Sequence, residues 1–141
     1  MSEFPDSQQL FEYVATIFAV TVLLDDRERD PELIEFVHAC MVHNHRLRPG
    51  VILSRQHLLK WFDANKEAIR ARLHADDAEA YKTDLLSRIF DEDLQRGVLS
   101  SIFAISVADY ELHDEETDFI SRALAVWHTT MPTPEEVDAV A

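Results

Sequence analysis

Apolar residues recur along most of this chain at three- and four-residue intervals, while alternating apolar and polar runs are hard to find. That periodicity predicts helices rather than strands. A first helix over Ser7 to Asp25 sets Leu10, Val14, Ile17, Phe18 and Val22 on one face and adds further apolar residues around it, the pattern of a helix buried on most sides. A second begins at Asp30-Pro31, with Asp30 as N-cap and Pro31 in the first turn, where its missing N–H costs little, and it stops before Arg48-Pro49-Gly50. A third opens at Ser54 and places Leu58, Phe62, Ile69 and Leu73 on one stripe. A fourth covers Asp77 to Phe90. The fifth, Asp91 to Asp109, is again apolar on most faces and should be a second central helix; the sixth runs from Asp114 to His128. Thr133-Pro134-Glu135-Glu136 supplies the N-cap, first-turn proline and capping-box glutamate of a short last helix, Pro134 to Val140, packed through Val137 and Val140.

The sum is an all-α fold, a compact bundle of about seven helices forming one domain over residues 1–141. Composition agrees. The chain has two glycines, Gly50 and Gly97, its five prolines sit at boundaries, and a hydrophobic content of 47% is enough for one real core.

Charge narrows the range of partners. A formal net charge of −14 repels phosphate backbones and anionic membranes, so nucleic-acid binding is not expected, and cations or basic protein surfaces suit the molecule better. The charge is uneven: Arg46 to Arg72 holds Arg46, Arg48, Arg55, Lys60, Lys66, Arg70 and Arg72 against Asp63 and Glu67. Such polarisation either orients a partner or an oligomer, or is a solvated helix face balanced by local pairs. Cys40 is the single cysteine, which excludes an internal disulfide and fits a reducing compartment. The acidic start lacks the basic region of a secretory signal, and the apolar run Tyr13 to Leu24 falls short of the ~20 residues of a membrane span. A cytoplasmic protein without direct membrane insertion is expected.

The most specific pattern is a repeat. Ile17-Phe18-Ala19-Val20-Thr21-Val22 lies over Ile102-Phe103-Ala104-Ile105-Ser106-Val107 with four identities and two conservative pairs. After one skipped residue Asp25, Asp30 and Glu32 fall on Asp109, Asp114 and Glu116, and later Ala39 and Val42 match Ala123 and Val126. This reads as a duplicated helix–acidic loop–helix unit. An Asp at the last turn of a helix faces the negative end of the helix dipole, so something must compensate it. The following helix can do so with its free N–H groups and positive end, Glu32 and Glu116 sitting in its first turn. A bound cation can do so too, since clusters of carboxylates and loop carbonyls suit Ca²⁺ or Mg²⁺. The unit is not an EF-hand: counting from Asp109, the sixth and twelfth places hold Asp114 and Ile120 where that loop needs Gly and Glu.

The stretch Val107 to Leu124, "VADYELHDEETDFISRAL", carries Ala108, Asp109, Leu112 and Glu116 at the spacing of a helix-junction signature: Ala-Asp-Gly, a hydrophobic residue, and a Glu seven after the Asp. It resembles the TerB-like domains of bacterial tellurite resistance proteins and of certain membrane-anchored DnaJ-type co-chaperones. Leu23 to Val37 looks like a degenerate copy that keeps Asp25 and Glu32. The resemblance implies a helical bundle made from two related halves, with acidic residues of both halves gathered at a divalent-metal site. It also implies a place in stress or tellurite response without known catalysis. One departure stands out: the family's glycine after the Asp is Tyr110 here and Asp26 in the first copy, and glycine is the residue that gives a helix end its inexpensive left-handed turn.

Asp25, Asp30, Glu32, Asp109, Glu111 and Glu116 are therefore expected to form an acidic face that binds a divalent cation weakly, or a basic protein partner. The function that follows is a non-enzymatic binding or scaffold module. Two alternatives use other chemistry. One is a metal-dependent enzyme working through the same carboxylates; the other is an interaction adaptor presenting its basic third helix to an acidic partner or to its own acidic surface.

Other motifs carry less. His38, Cys40, His43 and His45 are close in sequence, yet only His38 and His45 share a helix face, so histidines at a half-exposed helix end are expected instead of a zinc site. Glu35 and His38 form a single E-x-x-H where a di-iron bundle needs two. Gly-rich phosphate loops, G-x-S-x-G and H-E-x-x-H are absent. His113 reads as a surface residue at a helix start, and Trp61, Phe62 and Trp127 as core aromatics.

Overall fold

A computed structural model describes residues 6–24 and 30–128, and within them every regular element is a helix: α1 (Ser7–Leu23), α2 (Asp30–Leu47), α3 (Arg55–Leu73), α4 (Ala78–Ser87), α5 (Glu92–Ser106) and α6 (Asp114–Val126). The expected helix over Pro134 to Val140 and the acidic residue Asp25 lie outside the described residues. None of the described helices is long and apolar enough to cross a membrane.

Side-chain caps set three of the starts. Asp6 accepts from the Gln9 N–H at 2.8 Å, Ser54 from His57 at 3.1 Å, and Asp91 from Leu94 at 2.8 Å, each satisfying a donor that the first turn leaves open. Asp30, expected as an N-cap, is instead the first residue of α2. The fourth and fifth helices are shorter than their apolar patterns: α4 stops at Ser87, leaving Ile89 buried and Phe90 exposed, and α5 stops at Ser106.

α1 is the centre of the bundle, packed against α2, α3, α4 and α5, and Ile17, Phe18, Ala19, Val20 and Val22 are all fully buried there. α5 lies against α1, α2 and α6, with Val98, Leu99, Ile102 and Ile105 fully buried. Phe36 of α2 joins α3 to this core, its ring 5.2 Å from Phe62 and stacked at 6.3 Å on Trp61. Trp127 closes the other side, its indole N–H donating to the Leu86 carbonyl at 2.8 Å. Phe62 and Trp127 are core aromatics, while Trp61 is half-buried.

The α2–α5 contact departs from expectation. His43 is fully buried rather than half-exposed, as is Cys40; His38 and His45 are exposed. His43 Nε2 lies 3.2 Å from Ser101 Oγ, and its ring packs 5.3 Å from Phe18. Gly97 makes the room: a Cβ there would stand 3.2 Å from His43 Cε1 and 2.9 Å from Arg46 Nη1. Burial, aided by the Arg46 guanidinium and opposed by a hydrogen bond to the Gly97 backbone, pushes the His43 pKa from 6.5 down to about 4, so the ring is neutral. Burial likewise pushes the Cys40 thiol well above its ordinary range, which makes it inert.

Candidate metal centre at the α5–α6 junction

The junction is built by the way α5 ends. The Val107 N–H donates to Phe103 O at 3.1 Å, Ala108 to Ile105 O at 3.2 Å and Tyr110 to Val107 O at 2.9 Å, so the last helical carbonyls are taken up by a tightening turn. Tyr110 then adopts φ +65°, the left-handed region that favours glycine. The left-handed position that glycine usually fills is thus occupied here by a tyrosine that is 98% exposed.

Reversal at Tyr110 folds Asp109 back under the loop. Its carboxylate is only 5% exposed; Oδ1 accepts from the Glu111 N–H at 3.1 Å and Oδ2 lies 3.4 Å from His113 Nε2. The same His113 nitrogen is 3.5 Å from Glu111 Oε2. One ligand atom from each of Asp109, Glu111 and His113 lies within 4.8 Å of the others. Two carboxylate oxygens and an imidazole nitrogen on one turn make a mixed donor set that suits borderline Zn²⁺ and is open to Mn²⁺, a harder ion, whereas Ca²⁺ and Mg²⁺ prefer oxygen throughout.

Glu116 does something else. Its Oε1 accepts from the His113 N–H at 3.1 Å, and the residue is 1% exposed in the first turn of α6. It therefore caps the helix that carries His113 and holds that residue in place. Glu32, at the matching position of α2, is also buried, and Asp30 is exposed. Of the residues expected at the acidic face, the structure brings Asp109 and Glu111 together; Asp30, Glu32 and Glu116 stand outside their group.

His113, expected from the sequence to be a surface residue at a helix start, is the third member of this candidate group. It precedes α6 directly and is half-buried, because the reversal at Tyr110 brings its ring onto Asp109, four residues back. Among the described residues no group forms from His38, Cys40, His43 and His45.

The hollow between α4 and α6 is held by polar bracing: Arg122 donates to Thr83 Oγ1 at 2.8 Å and pairs with Glu79, which also holds Lys82 at 3.2 Å. No family model, curated protein or solved structure matches the chain.

Proposed function

We infer that this protein is a non-enzymatic helical binding module of the TerB-like kind, one that takes a divalent cation weakly at the α5–α6 junction. The observation that carries the reading is the convergence of Asp109, Glu111 and His113, with the Asp109 carboxylate held almost out of water at the end of a helix. A buried carboxylate beside a helix C-terminus is stabilised by a cation, and the imidazole nitrogen selects a borderline metal.

The duplicated architecture is part of the same reading. Thr21 Oγ1 donates to Ile17 O at 2.9 Å and Ser106 Oγ to Ile102 O at 2.8 Å, the same bond at aligned positions, and both hydroxyls are buried. Ile17 and Ile102 are each fully buried, as are Val20 and Ile105. These parallels support two related halves; the role in stress or tellurite response rests on the resemblance around Asp109 alone. The test is spectroscopic. Addition of Mn²⁺ to metal-stripped protein should broaden the ring resonances of His113 before those of exposed His38 and His45; equal broadening of all three would refute a site at the junction.

A further inference from the structure

We propose that the protein associates head to tail with copies of itself, the Tyr110–Leu112 turn of one molecule seating in the basic-rimmed groove between α1 and α3 of the next. Two features at different places in the fold carry this.

The first is the turn. Tyr110 is 98% exposed and Leu112 46% exposed, two large side chains projecting from a reversal whose backbone is strained at Tyr110. Their flanks are acidic: Glu111, Asp114 and Glu115 are exposed, and no Lys or Arg occurs between Gly97 and Arg122. Exposed tyrosines with a rigid backbone are effective anchors at interfaces.

The second is a groove of about 280 Å³ with Phe11, Ala15, Leu58 and Trp61 among its lining residues, and Ile52 standing 92% exposed at its edge. Arg48 lies over the Phe11 ring at 4.6 Å and His57 also lines the groove, as does Glu12 from α1; Arg55 and Lys60 are exposed on α3 at positions next to the lining residues without themselves lining it. Further along α3 the cations are paired locally, Lys66 with Asp63 at 3.5 Å and Arg70 with Glu67 at 2.8 Å. Arg48, Arg55 and Lys60 have no carboxylate partner among the described residues. In a chain of net charge −14, cations that have no carboxylate partner among the described residues, next to an apolar groove, suit an acidic partner with apolar anchors.

The chain carries that partner itself, at the far end of the bundle. Arg48 meets Phe11 at the groove end, and His43 meets Phe18 and Ser101 further along. Arg46 meets Gly97 on the groove side of Ser101, so α5 runs away from the groove toward Tyr110. At 1.5 Å per residue the two surfaces are separated by roughly 15–20 Å along the axis, too far for one molecule to fill its own groove with this turn. A contact between unlike surfaces closes into a ring or grows as an open chain.

Sedimentation velocity over a concentration series, with chelator present, tests the proposal separately from the cation reading. At about 0.01 M salt, where the Debye length is about 30 Å, the mass should rise with concentration, and at about 1 M, where it is about 3 Å, association should weaken roughly tenfold or more. Tyr110→Gly removes the anchor while relieving its backbone, and Arg55→Glu with Lys60→Glu reverses the rim without touching the core. Each variant alone should be monomeric, and an equal mixture should form a one-to-one dimer, since each keeps the surface the other lacks. A wild type that stays monomeric into the millimolar range at low salt overturns the proposal, as does association that survives both variants or variants that fail to complement.

Discussion

Glu32 and Glu116 occupy the same place in their helices: each is the third residue, of α2 and of α6, and each is buried. In α6 the carboxylate accepts from the His113 N–H, which ties the start of the helix to the turn before it. Glu116→Ala removes that acceptor and leaves space, so it should cost about 1–2 kcal/mol of stability. Glu116→Gln keeps an acceptor oxygen and should cost less than half as much. Urea midpoints of the two variants check this; equal losses would show that the carboxylate acts by charge alone.

Tyr110 gives the opposite sign. A non-glycine residue in the left-handed region costs about 1–2 kcal/mol, glycine's own chain entropy offsets about 0.5–1 kcal/mol of the relief, and the exposed tyrosine ring has little packing to lose. Tyr110→Gly should therefore raise stability by about 0.5–1 kcal/mol, read from the urea midpoint at high salt. A loss of stability would mean that the ring makes contacts which hold the turn.

At Gly97 two effects compete. Alanine is better than glycine in a helix interior by about 1 kcal/mol. Its Cβ would press on His43 Cε1 at 3.2 Å, however, and that ring is fixed between Phe18 and Ser101. Arg46, the other neighbour, is an exposed side chain and can swing away. Crowding in a packed core costs about 1–3 kcal/mol, so Gly97→Ala should be destabilising by about 1 kcal/mol net. Thermal unfolding settles the sign.

His43 makes stability pH-dependent. Its folded pKa, about 4, lies below its ordinary 6.5, so its contribution is complete above pH 6.5 and is lost as pH falls toward 4. The total is about 3 kcal/mol, of which the part between pH 6.5 and 5 is read before most carboxylates protonate. Urea midpoints should fall across that interval in the wild type and stay nearly flat in His43→Gln. Parallel slopes would place the pH dependence elsewhere.

Much of the fold is legible in the sequence because its determinants are local. Ser54 and Asp91 mark helix starts through bonds spanning three residues, and the apolar faces of α1 and α5 announce central helices. What escaped depends on distance or on backbone reversal. Gly97 admits the His43 ring across the α2–α5 contact, and nothing within either segment states that the two meet. α5 ends at Ser106 although Val107, Ala108 and Asp109 would continue a helix, because the chain reverses at Tyr110. That reversal also separates the expected carboxylates: it turns His113 onto Asp109 and leaves Glu116 to cap α6.

The most direct test of the account is calorimetric titration of metal-stripped protein with Mn²⁺ and Zn²⁺, beside Ca²⁺ and Mg²⁺, on the wild type and on Asp109→Asn/His113→Gln. Glu116 is retained in that variant, so the start of α6 keeps its cap. Mn²⁺ or Zn²⁺ should bind saturably at one site, Ca²⁺ and Mg²⁺ more weakly, and the variant should lose binding with its fold intact. A folded wild type that takes up none of the four, or a variant that binds as well as the wild type, would contradict it.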